Sequence, residues 1–345
     1  MQHRGTVFLT GASGFIARHV ALRLLEEGYR VRGSVRTLEQ GSEVIAAIRP
    51  HLSDAADIDA RLTFVQLDLL RDDGWDGAAT GCDALIHTAS PFPFRRPDHE
   101  DDVIRPAVDG TLRALQAARR AGIGRVVLTS SVAAVINTDL GPGRDAYDER
   151  DWSDPGGPRA SPYVKSKTMA ERAAWEFVRR DGPKIALTVI NPGFVLGPPL
   201  GGRSGTSLMV IQRILRAKDP MVPRLGFALV DVRDVATMHV RALDRTETFG
   251  KRIIGAGRFF WYADMARVVK EAYPDRKIVT RTAPDALIRF LGLFDGTLRS
   301  LVPNLGRRDA ISAARARQLL GIEFIDPEDS IREMAAYVLK NRLAS

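Results

Sequence analysis

The feature that most constrains this chain lies at its start, where a short β-branched run, TVFLT, passes without interruption into GASG and then into FIARHVALRLLEEG. Phe15, Val20, Leu24 and Leu25 recur with helical spacing, and Gly28 closes that helix at its C′ position. Gly11 and Gly14 lie three apart in the join. Glycine accepts positive φ and close approach, so the spacing predicts a tight turn that presents backbone N–H groups to an anion. A strand, a glycine turn and a helix in that order form the opening unit of a phosphate-binding α/β sheet.

The rest of the first half repeats the alternation. Apolar runs at 29–35 (YRVRGSV), 61–69 (RLTFVQLDL), 83–90 (DALIHTAS), 124–131 (GRVVLTSS) and 184–192 (KIALTVINP) read as buried strands. Helical patterns fall between them, up to Ile48, over 108–122, and from Tyr163 to about Arg180. Few of the strands alternate polar with apolar, which predicts a parallel sheet covered on both faces. The expected fold is therefore α/β, a doubly wound parallel sheet of Rossmann type with a smaller C-terminal α+β substrate lobe. In such a sheet the ligand lies beyond the carboxyl ends of the strands, which here carry Thr10, Arg36, Asp68, Ala89, Ser130, Ser131 and Pro192. After Gly193 come a Gly/Pro-rich passage, a helix near 206–217, and one more strand and helix in GFALVDVRDVATMHVRALD. The expected division is a dinucleotide-binding domain of residues 1–192 with about 226–250, and a lobe of 193–225 with 251–345. The stretch 137–162 is rich in Gly, Pro and Asp and reads as a long functional loop.

Composition narrows the partners. The 345 residues are 45% hydrophobic and 27% charged, ordinary for a globular chain. A single cysteine, Cys82, excludes an intrachain disulfide framework and fits a reducing compartment. With a core strand beginning by Thr6 and no run of 18 apolar residues, the expectation is a cytoplasmic protein with no membrane partner, monomeric or homodimeric. The formal charge of +8 would permit nucleic-acid binding, but the basic residues are scattered among acids without an aromatic-interleaved run, so no nucleic-acid partner is expected. The scattered histidines offer no zinc spacing, so no metal is expected either, and His87 reads as a core histidine.

The end of the second strand selects the cofactor. NAD-preferring chains place an acid about 20 residues past the glycine turn, for the ribose 2′-hydroxyl. Here the neighbourhood is GSVRT, Gly33 to Thr37, with no acid. The Arg36 guanidinium could pair with a 2′-phosphate, with Ser34 and Thr37 adding hydroxyls, so NADPH/NADP+ is the expected cofactor. Asp68 is placed either to meet the adenine amino group or to cap a helix.

The chemistry is expected on the helix that opens SPYVKSKTMAER, with Ser161 as N-cap and Pro162 at N1. Tyr163 and Lys167 are i and i+4 and share a face. A nearby ammonium favours phenolate and should pull the phenol below its usual value near ~10, which makes the pair a proton donor. Ser131, at the end of RVVLTSS, would project at the same sheet edge and could bond a carbonyl oxygen as charge develops there.

The set TGASGFIA, LTSSVAAV, YVKSK, NPGFVLGP and DVRDVA resembles the extended short-chain dehydrogenase/reductase superfamily. SVR, HTASPF and YDERDWSD resemble its branch of dihydroflavonol reductases, cinnamoyl-CoA reductases and microbial aldehyde or ketone reductases. The likeness spans roughly residues 5 to 245 and, more loosely, the tail. It implies Ser131, Tyr163 and Lys167 as the catalytic set, and Gly11, Ser13, Gly14, Phe15 and Ile16 around the pyrophosphate. It also implies Arg36 at the 2′-phosphate, Asp68 and Leu69 at adenine, and Thr88, Ala89, Ser90 and Thr129 along the cofactor. Pro192, Gly193, Val195 and Ser207 would lie toward the nicotinamide. Ala17 stands where the superfamily has a third glycine, a methyl that a helix–strand contact should tolerate. Ile136 stands where plant flavonoid reductases carry an asparagine that grips the hydroxylated ring, with Asn137 one place on. An apolar residue there suits an aryl, alkyl or keto-ester group, and Phe92, Phe94, Ile136 and Phe194 are the expected substrate wall.

The leading reading is NADPH-dependent reduction of an aldehyde or ketone to an alcohol, with Tyr163 as proton donor. A sugar-nucleotide epimerase or dehydratase on the same scaffold would instead need tightly held NAD and a nucleotide-diphosphate pocket. A non-catalytic dinucleotide sensor would need the glycine turn alone. Asp231 and Asp234 are expected to cap a helix and pair with Arg233.

Overall fold

Val7 and Leu9 point to one side of the first strand and Phe8 to the other, and all three are fully buried, so helices must cover both faces. A computed structural model describes residues 4–90, 99–202 and 205–344. The strands are β1 (Thr6–Thr10), β2 (Arg30–Val35), β3 (Leu62–Gln66), β4 (Ala84–His87), β5 (Arg125–Thr129), β6 (Ala186–Pro192), β7 (Phe194–Leu196), β8 (Gly226–Asp231), β9 (Lys251–Gly255) and β10 (Phe259–Trp261). Seven form a parallel sheet in the order β3-β2-β1-β4-β5-β6-β9. The order reverses between β1 and β4, which opens a crevice at their carboxyl ends.

The helices are α1 (Phe15–Glu26), α2 (Leu38–Ile48), α3 (Ile58–Arg61), α4 (Trp75–Ala79), α5 (Asp101–Arg120), α6 (Pro162–Arg180), α7 (Thr206–Arg216), α8 (Val232–Asp244), α9 (Tyr262–Ala272), α10 (Asp285–Leu291), α11 (Gly296–Leu301), α12 (Ala314–Leu320) and α13 (Pro327–Lys340). Helices α1, α2, α8 and α12 bury their apolar stripes with Val7, Leu9, Ile86, Val127 and Ile253. Helices α4, α5 and α6 do the same on the opposite face with Phe8, Leu85, Val126 and Leu187. The result is the doubly wound α/β architecture. A third core, from α7, α9, α13 and the three-stranded sheet β10-β8-β7, makes the lobe. Among the described residues, no helix is long and apolar enough to cross a membrane.

Two boundaries move from their expected places. Strand β8, assigned from sequence to the dinucleotide domain, pairs with β7 and β10 in the small sheet, although α8 after it packs on the large one. Strand β9, assigned to the lobe, extends the large sheet beside β6, with Ile253 and Ile254 fully buried. Both runs are short and apolar, and only the long-range pairing separates them. Helix α5 also starts earlier than its pattern, at Asp101, and carries Pro106 within it. Asp101 and Asp102 in its first turn suit the positive end of the helix dipole.

Candidate active site

The turn after β1 is held by its neighbours on both sides. Gly11 has φ +66°, and a Cβ there would lie 2.9 Å from that of Ala89, so only glycine lets the turn pass the end of β4. The Gly11 N–H donates to Ser34 Oγ (3.0 Å) and the Ala12 N–H to the Ser34 carbonyl (2.9 Å). Ser34 is buried, so its hydroxyl secures the turn. This structural role uses the acceptor side of the hydroxyl and leaves its O–H free to donate. Gly14 is exposed, serves as N-cap of α1 with extended φ and ψ, and supplies no side-chain cap. The first turn of α1, with Phe15 and Ile16, therefore presents uncapped donors. Thr10 ties β1 to the end of β4: its carbonyl accepts from Thr88 Oγ1 (2.6 Å) and its Oγ1 accepts from the Ala89 N–H (3.2 Å).

Arg36 follows β2 at the same edge, exposed, with no side-chain hydrogen bond or ion pair among the described residues. Asp68 follows β3, where its carboxylate accepts from the Leu70 N–H (2.9 Å) and shapes a turn beside the partly buried Leu69. Ala89, Ser90, Thr129 and Lys167 line one pocket with His87, Ser130 and Glu171. Thr129 Oγ1 is also bonded to His239 Nε2 (2.7 Å), so it points in part toward α8.

Ser161 caps α6 by accepting from the Val164 N–H, and Pro162 takes N1, as the sequence indicated. Tyr163 is hydrogen-bonded to Ser131, which bridges α6 and the end of β5. The Ser131 hydroxyl also accepts from the Ala133 N–H (3.1 Å), which fixes its rotamer. Lys167, one turn along, is buried, with Nζ 6.0 Å from the centre of the Tyr163 ring. One expectation is reversed. Burial pushes the Tyr163 phenol above its ordinary value, the Ser131 hydrogen bond opposes that rise, and Lys167 does not bring it down. Burial also lowers Lys167 to about 8, against the field of Glu171.

The sequence reading missed the carboxylate that organises this region. Glu171 is 1% exposed and accepts from Ser130 Oγ (2.6 Å), Asn191 Nδ2 (2.8 Å) and Arg252 Nε (2.5 Å). Asn191 also donates to the Ser131 carbonyl (3.1 Å). Arg252 reaches the carbonyls of Ala134, Glu149 and Asp151 and stacks 3.8 Å from the Trp152 ring centre. The long loop 137–162 is thereby anchored to β9, and Trp152 is its anchor. The i+4 spacing of Glu171 from Lys167 was a usable signal; nothing local marks Arg252.

Of the expected substrate wall, Ile136 is half-buried against the cluster of Val135, Tyr147, Ile254 and Ala256, and its carbonyl accepts from Arg307 Nη2 (3.3 Å). Phe194 stacks on Phe227 at 4.8 Å. Gly193 is forced by backbone proximity, since a Cβ there would lie 2.3 Å from the Ala228 carbonyl oxygen. Pro192 ends β6, Val195 lies in β7, and Ser207 is buried in the first turn of α7. Phe92 and Phe94 lie outside the described residues. Asp231 caps α8 and pairs with Arg233 as expected, whereas Asp234 accepts from the Ile325 N–H.

Comparison with known proteins agrees with this geometry. The profile of the NAD dependent epimerase/dehydratase family matches residues 7–257. A putative NADPH-dependent methylglyoxal reductase of Candida albicans is 31% identical, covering 98% of this chain and 100% of that protein. A cinnamoyl-CoA reductase of Medicago truncatula is 31% identical over 98% of this chain and 97% of its own length. The crystal structure of the yeast methylglyoxal/isovaleraldehyde reductase Gre2 complexed with NADPH superposes with TM-score 0.81 at 27% identity, covering 99% of this chain and 100% of that one. With the family profile spanning most of the chain and the relatives matching end to end, this protein belongs to the NAD dependent epimerase/dehydratase family, in its branch of carbonyl reductases.

Proposed function

We propose that this chain is an NADPH-dependent carbonyl reductase that converts an aldehyde or ketone to an alcohol. The observation that carries the reading is the Ser131–Tyr163 hydrogen bond, with Lys167 one helical turn away, at the sheet edge that also holds the glycine turn. The residues fit the cofactor. Uncapped donors at α1, a glycine turn that a Cβ would fill and an Arg36 without an acidic partner among the described residues match a diphosphate and a 2′-phosphate. The relatives' NADPH dependence points the same way.

Bound NADPH supplies the hydride. The chain's own residues handle orientation and the proton. Ser131 and Tyr163 direct their hydroxyls at the substrate carbonyl oxygen, which polarises it as negative charge develops. Tyr163, kept protonated by burial, donates its proton to that oxygen. Lys167 holds positive charge one helical turn from the phenol and would bond the cofactor ribose. Ile136 and Phe194 give the site an apolar wall, which favours small to medium hydrophobic aldehydes and ketones. The protein would act in the cytoplasm as a monomer or homodimer. The test follows NADPH absorbance over aryl ketones, aliphatic aldehydes, keto esters and a nucleotide sugar, with Tyr163→Phe in parallel. Turnover of carbonyls that collapses in the variant is expected; turnover of the nucleotide sugar alone would overturn the reading.

A further inference from the structure

Arg18 lies in the first turn of α1, where no sequence motif assigns it a role. Its side chain runs back toward the helix start, as helical side chains do, and is 7% exposed. Nε donates to the Ser13 carbonyl (3.1 Å), inside the glycine turn. Nη1 donates to the Leu200 carbonyl (2.9 Å), in the Gly/Pro-rich passage that follows β7. That passage rests directly on the guanidinium. A Cβ on Gly201 would come within 3.1 Å of Nη1, and one on Gly202 within 3.6 Å. Both glycines have positive φ, +65° and +79°. Two neighbours reinforce the attachment: His19 Nε2 meets the Pro198 carbonyl (3.1 Å), and the Tyr337 hydroxyl donates to the Gly202 carbonyl (3.0 Å).

The charge of Arg18 is unanswered. No carboxylate lies within ion-pair distance of it among the described residues; Glu43 on α2 and the Tyr337 phenol act on it only through space. Burial disfavours its charged form. Buried charges are ordinarily paired, and a cation in a first turn also opposes the helix dipole. An anion held at the glycine turn would relieve both penalties at once.

We infer that Arg18 is a positioning residue for the cofactor diphosphate: it straps the 198–202 segment to the glycine turn and provides the buried positive charge that the diphosphate answers. This rests on the NADPH reading above. The 2′-phosphate is left to Arg36, which lies beyond β2, so the two arginines divide the phosphates of one ligand.

The test measures binding without turnover. Dissociation constants for NADPH and for adenosine 2′-monophosphate, which lacks the diphosphate, are taken by fluorescence titration for the wild type, Arg18→Gln and Arg18→Lys. Arg18→Gln should weaken NADPH by ~10-fold or more and leave adenosine 2′-monophosphate within about twofold, because only the former carries the charge Arg18 answers. Arg18→Lys keeps the charge without the two-carbonyl bridge and should fall between. In turnover, KM for NADPH should rise while KM for the carbonyl stays. NADPH affinity unchanged in Arg18→Gln, or both ligands weakened in proportion, would overturn the assignment while leaving the reductase reading intact. Failure of the wild type to bind NADPH would overturn both.

Discussion

Glu171→Gln tests whether the buried carboxylate behind the active site joins fold and chemistry. In the native protein Glu171 faces Arg252, with side chains 0% and 7% exposed, in a pair closed at 2.5 Å. Removing one member of such a pair strands the other charge and costs ~3–5 kcal/mol. The lower end applies here, because Arg252 keeps three backbone carbonyls and the face of Trp152. A loss of about 3 kcal/mol is a large share of the ~5–15 kcal/mol by which a domain is stable. It would be read as a lower urea midpoint at constant m. Replacing both residues, Glu171→Met with Arg252→Met, removes both charges and should cost less than the sum of the two single Met variants, a non-additivity that the urea midpoints of the four proteins read directly. Because Glu171 also raises the Lys167 pKa, the single variant should lower it further from about 8 and move the alkaline limb of activity to lower pH. A midpoint loss worth under ~1 kcal/mol, or an unmoved pH profile, would refute the account.

Further outcomes follow from the same geometry. Tyr163→Phe should lower kcat by ~10²–10⁴-fold while leaving NADPH affinity nearly unchanged, measured by steady-state kinetics and titration. Arg36→Leu should erode the preference for NADPH over NADH by ~10–100-fold, read as the ratio of kcat/KM with each cofactor, since one charge-assisted contact to the 2′-phosphate is lost. Burial lowers His19 and His239 to about 4 and His87 to about 3, so the folded state resists protonation that the unfolded chain accepts near 6.5. These groups contribute nothing above about pH 6.5, and below it each removes up to ~1.4 kcal/mol per pH unit until its folded value is reached. Asp234, raised to about 6 by burial, gains its proton first in the fold and offsets part of that loss. Urea midpoints should therefore fall steeply between about pH 6.5 and pH 4.5, and equal midpoints would contradict the burial argument.

What the sequence revealed depended on how local the cause was. The opening strand, turn and helix were readable because glycine spacing and helical periodicity sit within one short stretch. Tyr163 and Lys167 were readable because i and i+4 share a helix face whatever surrounds them. The destinations of β8 and β9 were not, because both are short apolar strands sorted only by distant pairing. The Pro192–Gly255 register places one in the large sheet, and Phe194–Leu229 places the other in the small one. Arg252 was equally hidden, since its acceptors come from Ala134, Glu149, Asp151 and Glu171, none near it in the chain. The second role of Ser34 was hidden too, since its hydroxyl oxygen accepts from a Gly11 N–H that only the folded turn brings close.

The reversed sign at Tyr163 says the most about how the site is built. Sequence spacing places a cation one turn from the phenol, which by itself favours phenolate. Packing buries the phenol as well, and the desolvation penalty on its charged form outweighs what its neighbours return. The same penalty lowers Lys167, yet only to about 8, because Glu171 answers it from the next turn. At neutral pH the site therefore rests with a protonated phenol beside a mostly charged ammonium, the state a proton donor to a reduced carbonyl requires. A phenolate would instead suit the oxidation of an alcohol. One carboxylate, Glu171, thus serves two cations: it holds Arg252 and the long loop to the sheet, and it keeps Lys167 charged. Stability and reaction direction depend on the same buried group, so a change at Glu171 must disturb both together.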